Sequence, residues 1–197
     1  MSEVAIVKYN AGNIQSVIYA LERLGVNPIV TDDQNWLQSA QKVIFPGVGE
    51  ASTAMEYLKE RNLDQIIPTL KQPVLGICLG LQLMCTYSEE NDTDLLGIFD
   101  GQVKLFPKEV GKIPHMGWNQ IQPQNHPLLD GITEEDSFYF VHSYYAETTP
   151  YTIGKANYGV DFGAVMHRDN FYATQFHPEK SSSAGAKILE NFLKIPS

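Results

Sequence analysis

The chain has 197 residues, 43% of them hydrophobic and 19% charged, which is enough apolar material for one compact core. Its formal net charge of −9 gives an average surface field that repels a phosphate backbone, so nucleic acid is excluded as a first class of partner. No apolar run approaches the roughly 20 residues that span a bilayer. The start, Met1-Ser2-Glu3, has neither a basic leader nor a small-residue cleavage site, so the expectation is a cytoplasmic protein without membrane contact.

Residues 3–7 read as a short buried strand, and 13–24 as a helix with Ile14, Val17, Ile18, Leu21 and Leu24 at helical spacing. Gly25 is placed to cap it. Strands are expected at 28–31 and 42–45, helices at 51–61 and 63–70, and a further apolar strand at 73–77 that runs into a glycine-flanked cysteine. This alternation predicts βαβ units around a parallel sheet. The second half changes to short strands at 138–142, 153–157, 163–166 and 171–176, with Arg168-Asp169-Asn170 as a hairpin turn. A last helix is expected over 184–193. Residues 114–119 read as a loop and 89–94 as a solvated acidic one. The sum is one α/β domain over 1–197, mostly parallel at its centre, with added antiparallel strands.

The strongest chemical signal is Gly76-Ile77-Cys78-Leu79-Gly80, set between an apolar strand and a helical run. That is a nucleophile elbow with cysteine in place of serine. A sharp strand-to-helix turn leaves no room for side chains beside the nucleophile, and the helix start favours a thiolate. Cys85 has no such setting and reads as core. A thiolate needs a base, and the base an orienting group. His177 in Gln175-Phe176-His177-Pro178-Glu179 ends a strand. In an extended segment His177 and Glu179 project from one edge, with Pro178 forbidding a helix there. His142 is the competing base, whereas His115, His126 and His167 sit in turn-like contexts. Phe45-Pro46-Gly47-Val48-Gly49 offers backbone N–H groups to an oxyanion. A phosphate-binding loop fails there for lack of the third glycine and of a Lys-Ser/Thr pair. A calcium loop over 92–103 fails because Leu96 and Val103 occupy ligand positions. No zinc spacing occurs, so neither a metal nor a cofactor is expected.

Oxyanion turn, cysteine elbow and a C-terminal His-Pro-Glu, in that order, resemble the triad-type glutamine amidotransferases over almost the whole chain. Pro114-His115-Met116-Gly117-Trp118-Asn119, and Gln175 to Glu179 continuing as Lys180-Ser181-Ser182, are similar to the glutaminase subunits of imidazole glycerol phosphate synthase. That resemblance implies hydrolysis of L-glutamine through a thioester on Cys78, with His177 shuttling protons and Glu179 orienting His177. It implies an oxyanion hole at Val48 or Gly49 and Leu79, and substrate contacts from Gly47, Gln82, Glu90, Ser143 and Tyr144. A carboxylate at Glu90 suits the α-ammonium group of glutamine. It further implies a heterodimer with a (β/α)₈ synthase subunit. That subunit receives ammonia and forms imidazole glycerol phosphate and aminoimidazole carboxamide ribonucleotide in histidine biosynthesis. Tyr139 and Lys180 would face the partner, and Trp118 would shield the released ammonia.

The family's usual Asp-Tyr-Gly after the first strand is Lys8-Tyr9-Asn10 here. Rival readings are a free-standing cysteine hydrolase of the same fold, a binding module that has lost the reaction, and a glutaminase serving another acceptor pathway. Intact Cys78, His177 and Glu179 argue against the binding module. Because free hydrolysis would waste glutamine, the isolated chain is expected to be nearly idle. Gly47-Val48-Gly49 is the expected switch, since glycine-flanked peptides rotate at low steric cost.

Overall fold

Apolar stretches with no polar break, such as 4–7, 43–47 and 74–78, can leave neither face in water, and each is a fully buried strand of one sheet. The computed structural model describes residues 4–9 and 14–197; the expected strand residue Glu3 and the Asn10–Asn13 part of the first loop and helix lie outside them. In chain order the elements begin with β1 (Val4–Val7), α1 (Gln15–Arg23), β2 (Ile29–Thr31), α2 (Gln34–Ser39) and β3 (Lys42–Gly47). Next come α3 (Ala51–Glu60), α4 (Leu63–Ile66), β4 (Val74–Cys78), α5 (Leu79–Leu83), β5 (Tyr87–Ser88), β6 (Thr93–Asp94) and β7 (Gln102–Leu105). The chain continues through β8 (His115–Gln120), β9 (Gln122–Pro123), β10 (Ser137–His142), β11 (Tyr144–Ala146), β12 (Thr152–Asn157), β13 (Asp161–Arg168), β14 (Phe171–Thr174) and α6 (Ser182–Lys194).

The main sheet has eight strands in the order β2-β1-β3-β4-β14-β13-β12-β9. The first five are mutually parallel and the rest antiparallel, so the expected single α/β domain with a parallel centre is what forms. Alternate residues of β1 feed the two faces. Ala5 and Val7 join one apolar layer with Phe45, Leu58 and Leu83; Val4 and Ile6 join the other with Leu75, Phe140 and Ile188. Two smaller ribbons, β8–β10 and β11-β7-β5-β6, complete the fold, and Val141 and His142 of β10 and Tyr144 of β11 reach the end of β4 beside Cys78. Lys42, buried at the start of β3, donates to the Ile195 carbonyl at 2.6 Å and ties down the end of α6.

The differences from the sequence reading have physical causes. Helix α2 buries only Leu37, so it has no apolar period to detect; its one signal is Asp33, whose carboxylate caps the N–H groups of Asn35 and Trp36. The supposed loop at 114–119 is strand β8, paired antiparallel with β10. Its pattern is inverted: His115 is buried while Met116 and Trp118 face outward, so polarity misleads there. Residues 178–180 form a 3-10 turn where helix was excluded, because a proline at the first helical position has no N–H to lose.

The centre of the fold depends on Gly80. A Cβ there would lie 1.8 Å from the Phe45 carbonyl oxygen of β3, so only glycine lets α5 sit against the sheet. Gly80→Ala is expected to destabilise the protein by about 3 kcal/mol, read by urea denaturation.

Candidate active site

Three neighbouring parallel strands end at the same edge. Gly47 at the end of β3 stands beside Cys78 at the end of β4, and β14 pairs with β4 up to Thr174–Ile77, which brings His177 over the same edge. Ligand sites of open α/β sheets lie at such carboxyl ends. Cys78 has φ 54°, a left-handed conformation unfavourable for a side-chain-bearing residue and held only by a tight surrounding structure. That structure is the glycine pair: a Cβ on Gly76 would meet the Gly80 carbonyl carbon at 2.9 Å. The strain aims Sγ into a cleft of about 360 Å³, at the small end of ligand pockets. Helix α5 has five residues, so the free N–H groups of its first turn, more than a long dipole, are what it offers.

His177 is nearly fully buried, and its Nδ1 lies 2.8 Å from Glu179 Oε1. The carboxylate can only accept, so Nδ1 carries the proton. Nε2 is buried and without a hydrogen-bond partner. Burial disfavours the charged ring, but the Cys78 sulfur and then Glu179 outweigh it and push His177 up to about 10. The ring is thus held toward its charged form, with the sulfur and the carboxylate on either side of it. Sequence alternation did not predict how Glu179 reaches the ring: it stands in the first turn of the 3-10 segment Pro178–Lys180, not on a strand. The backbone of His177 is also pinned. Its N–H donates to the Tyr139 carbonyl at 3.0 Å. The Ser181 hydroxyl donates to its carbonyl at 2.6 Å and accepts from the Tyr139 N–H at 2.9 Å. Ser181 stood in the quoted motif without a role.

Val48, Gly49, Leu79, Gln82, Glu90, Ser143 and Tyr144 all line the cleft with Cys78. Gly49 has φ +110°, so the turn needs glycine there. Gly47, paired with Cys78, stands behind these residues, and a Cβ there would meet the Tyr9 hydroxyl. Tyr9 donates to the Pro46 carbonyl at 2.6 Å and thereby holds the strand leading into the turn, a contact invisible in the sequence. Glu90 is half-buried and accepts the Ala51 N–H at 2.7 Å at the start of α3. Burial pushes its carboxyl up, and the Ala51 bond opposes this. Trp118, Tyr139 and Lys180 lie elsewhere. Trp118 packs edge-on against Tyr139 at 6.1 Å and is 57% exposed, so it is not core. With Lys180 and Glu179 it lines a second cavity of about 530 Å³, and Glu179 thus stands between that cavity and the His177 ring.

His142 also lines the cleft, yet neither of its nitrogens is free. Nδ1 lies 2.7 Å from the Tyr144 carbonyl and Nε2 3.0 Å from His115 Nδ1. The carbonyl only accepts, so His142 carries its proton on Nδ1 and accepts at Nε2 from His115 Nδ1–H. His115 Nε2 in turn faces the Asn119 amide at 3.4 Å. His142 is a fixed neutral link, and His177 alone of the two can serve the sulfur. His115 and His167, expected in turns, lie in β8 and β13. His126 Nε2 and His167 Nδ1 form a separate pair at 3.1 Å, away from the cleft. Cys85 is buried and its thiol is pushed up to about 12 by burial. Among the described residues no His/Cys/Asp/Glu group is arranged to hold a metal, and no helix is long and apolar enough to cross a membrane.

Burial pushes His115 down to about 4 and His142 down to about 3. Below the unfolded value near 6.5 the unfolded chain takes up protons that the folded chain refuses. These rings therefore cost stability progressively as pH falls from about 6.5 towards 3. His115→Phe, which keeps the stacking on Phe140 and Tyr158, is expected to show a shallower fall of Tm between pH 6.5 and 4 than the unmodified chain, in melts recorded across that range.

Residues 5–195 match the family model described as glutamine amidotransferase class-I. The subunit HisH of imidazole glycerol phosphate synthase from Bacteroides thetaiotaomicron is 56% identical over 98% of this chain and 100% of its own length. The HisH subunit of Pasteurella multocida is 45% identical over 98% of each chain. A chain of the PurLQS structure from Thermotoga maritima superposes with TM-score 0.70 at 18% identity, covering 98% of both chains, and so shares the fold. With a cysteine elbow, a buried His–Glu pair and a turn of backbone donors at one sheet edge, the chain belongs to the class-I glutamine amidotransferases, and within them to the HisH subunits of imidazole glycerol phosphate synthase.

Proposed function

We propose that this chain hydrolyses L-glutamine to glutamate and ammonia and passes the ammonia to a synthase subunit of histidine biosynthesis. The observation that carries the reading is Cys78, strained into the cleft beside a His177 whose Nδ1 is held by Glu179. The Cys78 thiolate attacks the side-chain amide carbon, and the carbonyl oxygen becomes an oxyanion facing N–H groups of the Val48–Gly49 turn and Leu79. His177, resting as imidazolium, gives its proton to the departing nitrogen as the C–N bond breaks and ammonia leaves. Water then attacks the thioester; His177 takes its proton, and glutamate departs as the thiolate is restored. Glu179 keeps the ring in register throughout. Glu90 receives the α-ammonium group, while Ser143 and Tyr144 close the other side of the cleft.

The partner is a (β/α)₈ synthase subunit, bound as a heterodimer on the face that carries Trp118, Tyr139 and Lys180. What supports this is the outward Met116 and Trp118 of β8 and the cavity that Trp118 lines together with Glu179 and Lys180. Ammonia released into bulk water would be protonated and lose its lone pair, so a partner docked on this face serves to keep it from solvent.

Cys78→Ala is expected to abolish glutamine-dependent synthesis by the assembled enzyme while added ammonia still supports it; full glutamine-dependent turnover would remove Cys78 from the mechanism. The isolated chain is expected to be nearly idle, because one missing oxyanion donor is worth about 3 kcal/mol, or about a hundredfold in rate. Titrating the synthase subunit and its acceptor nucleotide into a glutaminase assay should raise turnover by at least that factor. A flat titration would favour a free-standing hydrolase.

A further inference from the structure

The sulfur of Cys78 has a second polar neighbour, which the triad does not use. Gln175 is wholly buried, and its Nε2 lies 3.7 Å from Cys78 Sγ. Its Oε1 lies 3.2 Å from Gln82 Nε2, and that same nitrogen lies 2.8 Å from the Tyr144 carbonyl. The orientation of both amides follows from this chain of contacts. A carbonyl oxygen only accepts, so Gln82 must turn its nitrogen to Tyr144. Gln175 must then turn its oxygen to that nitrogen, since the opposite flip would set two NH₂ groups face to face. Its own nitrogen is left pointing at the sulfur. The Tyr144 carbonyl is held by a second donor, His142 Nδ1 at 2.7 Å, so the start of the chain is anchored from two sides.

We propose that Gln175 is a catalytic residue, an amide donor that stabilises the Cys78 thiolate, and that Gln82 and the Tyr144 carbonyl are the positioning groups that keep its N–H on the sulfur. The inference rests on the reading of Cys78 as nucleophile. The other groups near the sulfur do not duplicate the role. The Val141 carbonyl, 3.9 Å away, can only accept, so it favours the thiol. The buried Tyr9 phenol spends its proton on Pro46, and the nitrogens of His142 are both engaged. His177 with Glu179 supplies the charge, but its proton is consumed when the leaving nitrogen departs. Gln175 is not consumed in that way, because an amide N–H does not ionise at working pH, so it is in place both when the thiolate attacks and when it is expelled from the thioester. A hydrogen bond to the charged form favours that form, and it does so here without adding a titrating group.

The test is the pH dependence of iodoacetamide alkylation on the full-length chain, with Cys78→Ala as the blank; Cys85, buried and pushed up to about 12, contributes little signal. Gln175→Met removes the donor at similar length, and Gln175→Glu replaces it with an acceptor. Both are expected to move the midpoint to higher pH with the alkaline plateau unchanged, slowing alkylation below the midpoint by about tenfold for Gln175→Met and more for Gln175→Glu. Gln82→Met, which leaves the amide free to turn, should slow it by about threefold. A Gln175→Met variant that melts normally and keeps the unmodified profile would overturn the proposal. Should both Gln175 variants fail to fold, an unchanged profile in Gln82→Met would overturn it equally. A loss of plateau rate with no midpoint shift would mark Gln175 as a packing residue and overturn it too. Alkylation is read without glutamine or partner, so it is judged separately from the glutaminase reading, which Cys78→Ala decides.

Discussion

The approach of Gly80 to the carbonyl of Phe45 is the constraint on which the site depends. It lets α5 begin directly over β3, which forces the preceding residue, Cys78, into a left-handed conformation. Glycine at 76 makes the same demand from the other side. The strain at Cys78 is sustained because fully buried strands of one parallel sheet lie on both sides of it. A sulfur on a flexible loop would sample many positions; here the backbone allows few, and each neighbouring strand end delivers one further component to the same edge.

Around that fixed sulfur the polar groups divide by what they can exchange. His177 and Glu179 form the pair proposed to move protons, and the ring is pushed up because the Cys78 sulfur and then Glu179 outweigh its desolvation. His115, His142, Gln82 and Gln175 form a part that moves none: each amide or ring has one orientation, set ultimately by carbonyl oxygens that can only accept. Neutral groups with fixed orientation suit the walls of a site where charge must build and vanish on one atom. They hold direction without adding titrations of their own near neutrality.

The same elements link the cleft to the outer face. Strand β10 holds His177 through the backbone of Tyr139 and Ser181, while the ring of Tyr139 meets Trp118 across the ribbon. Strand β8 turns His115 inward to the cleft network and Met116 and Trp118 outward. One short ribbon thus has its inner side in the site and its outer side open to a partner, which is why its hydrophobic pattern runs opposite to that of an ordinary surface strand.

Much of this was legible in the residues alone. Uninterrupted apolar runs specify buried strands whatever their neighbours, so β1, β3 and β4 and the parallel centre follow from local composition. Glycines around Cys78 and the proline after His177 are backbone demands that few other residues meet, so the elbow and the His-Pro-Glu turn announce themselves. Tertiary structure alone decided what depends on partners far apart in the chain. It showed that His142 is spent on His115 and Tyr144, that Gly47 packs against Tyr9, that 114–119 pairs as a strand, and that Gln175 reaches the sulfur across 97 positions. A side chain's role in such a site is set by which of its atoms are already engaged, and hydrogen-bond partners brought together by folding leave no periodicity in the sequence.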